Sequence, residues 1–367
     1  MRAEDIDTPA LLVDLNAMEG NLRRVADYAE RHRLRLRPHT KTHKSPRIGR
    51  RQLELGAAGL TVAKVGEAEV MLDAAPPDLL VAYPVIGRSK LQRLMAVARR
   101  ARVTVSLDSL FAAQQLSEAS QTVGANKVRI GVLAETDVGL GRVGVSPGRD
   151  LLDLARGIEQ LAGLSFEGIA FYPGHIKDNG ERGREALAAL GNVIQSILAD
   201  FRREGLGVRI VSGGSTPSLY HSHELPGLNE IRPGTYVYND WNTVASGACK
   251  PDECAAALLV TVVSTARPGQ IIVDGGSKTF SSDRLTGSAD PTFGHVLEAP
   301  AAVFHKMNEE HGYVDVRLCD RKFEMGERLR IVPNHICVAV NLHERVYGIR
   351  NGDVEEVWEV AGRGKLQ

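Results

Sequence analysis

Residues 8–15 read TPALLVDL, an apolar run of strand length. Behind it Leu15, Met18, Leu22, Val25 and Tyr28 recur at helical spacing. This predicts a helix to about His32, with Asp14 and Asn16 both able to cap it. Residues 33–38 then alternate with the two-residue period of a strand, and Pro38 breaks its ladder. The pattern repeats down the chain. Strands are predicted at 59–63, 78–83, 103–107, 128–134, 166–171, 208–212 and 229–232. Helices are predicted at 47–55, 66–72, 89–99, 109–117, 149–161 and 182–204, with a short helical piece after 212. About eight strand–helix units therefore fit between residues 15 and 240. Alternating strands and helices imply parallel pairing, and this number suits a closed barrel better than an open sheet. No GxGxxG follows an early strand, which argues against a dinucleotide-binding sheet.

From about residue 241 the texture changes. Short β-branched runs at 254–264, 270–274, 301–306, 313–318, 328–332 and 338–342 are separated by glycine, proline and charge. They predict a mostly antiparallel β domain. The expected fold is α/β: a (β/α)8 TIM barrel over residues 16–240, and a second, mostly antiparallel β domain from residues 1–15 and 241–367.

Composition narrows the function. Among 367 residues, 45 Lys and Arg balance 45 Asp and Glu, so neither nucleic acid nor an anionic membrane surface is an expected partner. No apolar run reaches the length of a membrane span. Met1–Asp5 lacks the layout of a signal peptide. Four cysteines in so long a chain make no disulfide framework. A cytoplasmic protein with reduced thiols is expected.

Barrel active sites lie at the C-terminal ends of the strands, so the residues after each predicted strand are the ones to weigh. Lys41 follows the first, inside Arg37-Pro38-His39-Thr40-Lys41-Thr42-His43-Lys44. Lysine forms Schiff bases, and a crowd of cations favours the reactive free amine. The same cluster also reads as a solvated basic turn. Later exits carry Asp137-Val138-Gly139-Leu140-Gly141-Arg142, Tyr172-Pro173-Gly174-His175, Gly213-Gly214-Ser215-Thr216 and Arg232-Pro233-Gly234-Thr235. Two glycines and two hydroxyls before a helical piece make a phosphate cradle. Gly234 and Thr235 lie at the neighbouring exit, and phosphate sites after strands 7 and 8 recur in this barrel. His335 and Cys337 are two apart in a stretch read as strand, where they would share a face. They make half of a soft metal site, or a buried cysteine beside a satisfied histidine. Cys249, Cys254 and Cys319 have no such companion and read as structural. A lysine, a phosphate cradle and barrel strand ends together suggest pyridoxal phosphate.

The ordered series DTPALLVDL, RPHTKTHKSP, GLGRVGV, SGGSTPS, EIRPGTYVYND, DGGSKTFSSD, EEHG and PNHIC spans nearly the whole chain. It resembles the D-threonine aldolase and D-serine dehydratase family, fold type III pyridoxal phosphate enzymes whose barrel is shared with bacterial alanine racemase. The resemblance implies that Lys41 bonds pyridoxal 5'-phosphate, with Lys44 the competing choice. It implies that Arg142 lies near the cofactor's phenolic oxygen and that Arg232 faces its pyridine nitrogen. Gly214, Ser215, Thr216, Gly234 and Thr235 match phosphate contacts, and Tyr172 joins the cofactor-binding set. His335 and Cys337 match a divalent metal pair; the thiolate leans toward zinc, while relatives with a carboxylate there favour manganese or magnesium.

The implied activity is cleavage of a β-hydroxy-D-amino acid to glycine and an aldehyde, with His175 as base at the β-hydroxyl. The alternative is dehydration to a 2-oxo acid and ammonia, which the same parts allow if Lys41 removes the α-proton. Racemisation has little use for a metal. A protein that only carries pyridoxal phosphate would leave the β domain without a role. The family also implies a homodimer.

Overall fold

Strand β1 (Ala10–Asp14) ends on the residue that immediately precedes the first helix. One carboxylate oxygen of Asp14 accepts the backbone N–H groups of Asn16 and Ala17 at 2.8 and 2.9 Å. That satisfies two of the four donors a helix start leaves open. The helix runs Leu15–Arg31 and buries the apolar stripe predicted for it. The computed structural model describes residues 2, 5–122, 128–285 and 292–367; of Met1–Asp5, the residues Met1, Ala3 and Glu4 lie outside these.

Two units make up the chain. One comprises 24–41, 45–234 and 364–367; the other comprises 1–23, 42–44 and 235–363. The first holds eight strands: β2 (Arg35–Leu36), β3 (Leu60–Val62), β4 (Asp78–Val81), β5 (Arg102–Leu107), β6 (Ile130–Glu135), β7 (Leu164–Ala170), β8 (Ile210–Gly213) and β9 (Glu230–Ile231). They pair in parallel in the order β2-β9-β8-β7-β6-β5-β4-β3. A parallel bridge between His39 and Thr61 joins the two ends of that order. Thr40 donates to the Thr61 carbonyl at 2.8 Å, and the Thr61 N–H reaches the Pro38 carbonyl at 2.9 Å. The sheet is thus closed, a TIM barrel with an alanine racemase-like fold. Leu80, Leu133, Ala170 and Ile210 form an apolar cluster among its strands.

The second unit is a mostly antiparallel sheet. Its strands are β10 (Ala256–Arg267), β11 (Gln270–Val273), β12 (Gly294–Val296), β13 (Val303–Met307), β14 (Gly312–Asp315), β15 (Arg328–Pro333), β16 (Arg345–Arg350) and β17 (Asp353–Glu359). β1 joins it, antiparallel to β10 and parallel to β16. Ile6, Ala10, Leu12 and Leu259 pack together there, with Tyr347, Ile349 and Val354 against them.

One expectation is corrected in this unit, and one element was not predicted. Residues 338–342 are no strand: the chain is helical over Ile336–Leu342. Pro333 ends β15, and His335 precedes the helix in extended conformation, so His335 and Cys337 are not strand neighbours on one face. The unpredicted element is the β16–β17 hairpin, which the β-branched pattern did not reveal. Its turn, Asn351-Gly352, has both residues at positive φ, as the Asn-Gly dipeptide favours.

Candidate active site

In the barrel unit Lys41 sits in the turn after β2, half-buried, and its backbone N–H points to Nδ1 of His39 at 3.4 Å. The loop after β6 is organised by Asp137. Its carboxylate accepts the N–H groups of Gly139, Leu140 and Gly141 at 3.0–3.1 Å. Those amides, Gly141 first, hold the Asp137 carboxyl below its ordinary value. Arg142 leaves this loop with its guanidinium 4.8 Å from the centre of the Tyr172 ring, a cation–π contact. His175 lies against the same loop. A Cβ added to Gly139 would fall 3.3 Å from both Cε1 and Nε2 of its ring. Arg142 after β6, and Tyr172 and His175 after β7, nominated from two strand exits, are therefore neighbours.

Arg232, after β9, is anchored from below. Its Nη1 donates to Ser212 Oγ at 2.5 Å and its Nη2 to the Phe171 carbonyl at 3.1 Å. Burial pulls the guanidinium's pKa down, and the carboxylates of Glu135 and Glu230 oppose that. An arginine stays protonated under these conditions, so Arg232 can only donate. Gly213 and Gly214 follow β8. A Cβ on Gly213 would collide with the Phe171 ring at 2.3 Å, and Gly214 has φ +92. Ser215 and Thr216 beside them are buried, and Ser215 Oγ lies 3.1 Å from Ser218 Oγ. The helical piece that follows is a single 3₁₀ stretch, Leu219–Glu224.

In the other unit His335 hydrogen-bonds Cys337. The neighbouring Cys337 sulfur, and then Asp240, push the His335 pKa up to about 11 against the effect of burial. Asp240 Oδ2 lies 3.3 Å from His335 Nδ1. Cys337 Sγ has the Thr42 hydroxyl at 3.1 Å and the Thr235 hydroxyl at 3.8 Å. Thr235, nominated for phosphate, thus touches the thiol. Lys44 Nζ donates to the Gly362 carbonyl at 3.3 Å, which occupies the lysine that competes with Lys41. Cys249 and Cys254, read as unaccompanied, hydrogen-bond one another, which raises the Cys254 thiol's pKa. Asp274 binds the Thr261 N–H at 2.8 Å and the Thr8 hydroxyl at 2.5 Å.

Comparison with known proteins places this arrangement. Residues 13–240 match the model for the alanine racemase N-terminal domain, and residues 255–349 the model for a putative serine dehydratase domain. A D-threonine aldolase of Arthrobacter sp is 34% identical over 365 residues, 98% of this chain and 93% of the relative. The chain belongs to the D-threonine aldolase and D-serine dehydratase family. Its members are pyridoxal phosphate lyases, and so is this protein. A 3-hydroxy-D-aspartate aldolase of Paracoccus denitrificans is 33% identical over 377 residues, 100% of this chain and 94% of the relative. The crystal structure of D-threonine aldolase from Filomicrobium marinum superposes with a TM-score of 0.92 at 33% identity, covering 100% of this chain and 98% of that one.

The residues of this family member fit the cofactor. A buried arginine that can only donate, a lysine at a strand exit and a glycine–hydroxyl cradle without room for a Cβ supply what its ring, aldehyde and phosphate need. Among the described residues no group of three or more His, Cys, Asp or Glu is arranged to hold a metal ion. The donor set at His335 and Cys337 fits an ion that keeps open positions for substrate and water. Three residues of these clusters stood in quoted stretches but were given no role from sequence: Asp137, Asp240 and Thr42. Asp240 had a signal, an aspartate just before a helix start at Trp241. Among the described residues no helix is long and apolar enough to cross a membrane.

Proposed function

We propose that the protein cleaves β-hydroxy-D-amino acids of the D-threonine type to glycine and an aldehyde. The observation that carries the reading is His175 lying against Gly139 on the loop that bears Arg142, beside Tyr172. An imidazole at a barrel exit is the base that β-hydroxyl deprotonation requires. Pyridoxal phosphate supplies an electron sink for a bond at the substrate's α-carbon. Lys41 is the residue that holds it covalently. Gly214, Ser215 and Thr216, with Gly234 and Thr235, receive the phosphate. Arg232 donates to the ring nitrogen. Arg142 and Tyr172 flank the ring's phenolic side. His335 and Cys337 bind a divalent metal ion, zinc by the softness of the thiolate, which orients the substrate hydroxyl. His175 takes the hydroxyl proton, so the Cα–Cβ bond breaks. We assign the cofactor-holding role to a barrel of residues 16–240 and metal binding to a β domain of residues 1–15 and 241–367, in a cytoplasmic homodimer.

A second reading has its own support. Residues 255–349 match a putative serine dehydratase domain. In that reading a base removes the α-proton and the hydroxyl leaves, giving a 2-oxo acid and ammonia.

Incubation of the protein with D-threonine and zinc or manganese separates the two. Glycine and acetaldehyde are expected; predominant ammonia and 2-oxobutanoate would overturn the aldolase reading. Borohydride trapping followed by peptide mass spectrometry is expected to label Lys41 and to spare Lys44. A label on any other side chain would remove Lys41 from its role.

A further inference from the structure

We propose that Asp240 is the positioning residue of His335: its buried carboxylate fixes the imidazole proton on Nδ1 and leaves Nε2 for the metal ion. The inference rests on the reading of His335 and Cys337 as the metal pair. It adds a residue that neither the motif nor the electron sink requires.

The geometry is specific. Asp240 is 1% exposed and stands just before the short helix Trp241–Ala245. Its Oδ1 accepts the Thr243 N–H at 2.9 Å and the Thr243 hydroxyl at 2.7 Å. Its Oδ2 accepts the Ile336 N–H at 3.2 Å and faces His335 Nδ1 at 3.3 Å. A carboxylate only accepts, so a ring nitrogen at that distance must present a proton. In the neutral imidazole the lone pair then belongs to Nε2.

The Ile336 contact adds direction. The oxygen that faces the ring is also bound to the backbone one residue beyond His335. The ring is thereby tied to its own main chain at the start of the helix in which Cys337 is the second residue. A carboxylate on the second nitrogen also raises the basicity of the ligating one. Asp240 itself is no third ligand, because three N–H or O–H donors and the imidazole already occupy both oxygens.

Asp240→Asn tests this directly. With its oxygen kept on Thr243, the amide NH2 faces Nδ1 and the Ile336 N–H, which places donors against donors. The ring is then expected to give up its Nδ1 proton or turn away. Zinc affinity of the purified, metal-free protein, measured by competition with a chromophoric chelator, is expected to fall about 10–100-fold. Thr243→Val removes a bond from the other oxygen and leaves the ring contact intact; its zinc affinity is expected to equal the wild type. His335→Ala is the control for the underlying reading. If Asp240→Asn binds zinc as tightly as wild type while His335→Ala does not, the role of Asp240 is refuted and the metal pair stands. If His335→Ala also binds normally, the metal pair itself is refuted.

Should Asp240→Asn fail to fold, the wild type still decides. Nitrogen-15 histidine spectra of the zinc-loaded protein are expected to show His335 protonated at Nδ1 and metal-bound at Nε2. Zinc on Nδ1 would overturn the inference, and zinc on neither nitrogen would overturn the metal pair.

Discussion

Gly139 has φ +117, a backbone region that L residues rarely adopt, and its Cα faces the ring of His175. Alanine there meets two obstacles at once. The backbone strain costs about 1–3 kcal/mol, and the new methyl presses on Cε1 and Nε2. Gly139→Ala is expected to lower the melting temperature and to reduce kcat on D-threonine, while borohydride still labels Lys41. An unchanged kcat would show that His175 does not depend on this loop for its position. At this scale the sequence already favoured Lys41 over Lys44, because of its place in the motif. The fold adds the bond from Lys44 Nζ to the Gly362 carbonyl, and the borohydride label decides between the two lysines. Asp240 was hidden for a related reason: it acts on a side chain 95 positions later, and no local pattern records that meeting.

The loop after β6 shows how an element is held by one charge. Asp137 collects the amides of Gly139, Leu140 and Gly141, and these hold its pKa below the unfolded value. The unfolded chain therefore binds more protons as the solution is acidified. The stabilisation is complete above the ordinary aspartate value of about 3.9 and is lost as pH falls through the lower folded value. Asp137→Ala is expected to melt below wild type at neutral pH, with the gap closing as pH drops under about 4. A gap that persists at lower pH would mean that the charge contributes nothing. Elements with strong periodicity were legible: each of the eight barrel strands starts within two residues of its predicted start. The stretch around His335 was not. Its residues suit strand and helix alike, and Pro333 together with the Ile336 N–H bond to Asp240 selects the helix.

Across the whole barrel unit, a network of charges gathers where Asp78, Arg102 and Glu230 open their strands, with Arg37 just after β2 reaching them. Arg37 is fully buried, with Nη1 3.0 Å from Asp78 Oδ1 and Nη2 2.9 Å from Glu230 Oε2. Arg102 reaches Glu167 at 3.0 Å, and Arg209 meets the other oxygen of Glu167. Charges at that end of a TIM barrel serve stability, since its chemistry lies at the opposite face. Burial raises the Asp78 pKa, and Arg37, then Arg102, oppose it. Arg37→Met removes the nearest cation from two buried carboxylates, leaving Arg102 3.6 Å from Asp78 and Arg35 3.6 Å from Glu230, and is expected to cost about 3–5 kcal/mol in urea unfolding. Adding Asp78→Asn and Glu230→Gln to it is expected to restore part of the loss. A single variant as stable as wild type would show that the network is dispensable.

Hydrophobic periodicity determined the eight strand–helix units and the antiparallel texture beyond them, because burying one face of each element needs only local spacing. The ordered motifs determined the family and its cofactor. Tertiary structure decided the rest: that Arg35 and Arg37 reach Glu230 instead of extending the basic turn, that His175 meets the Gly139 loop, and that Asp240 faces His335. Those outcomes depend on closing the barrel and folding the second sheet, which bring together residues whose separation in sequence carries no signal of their contact.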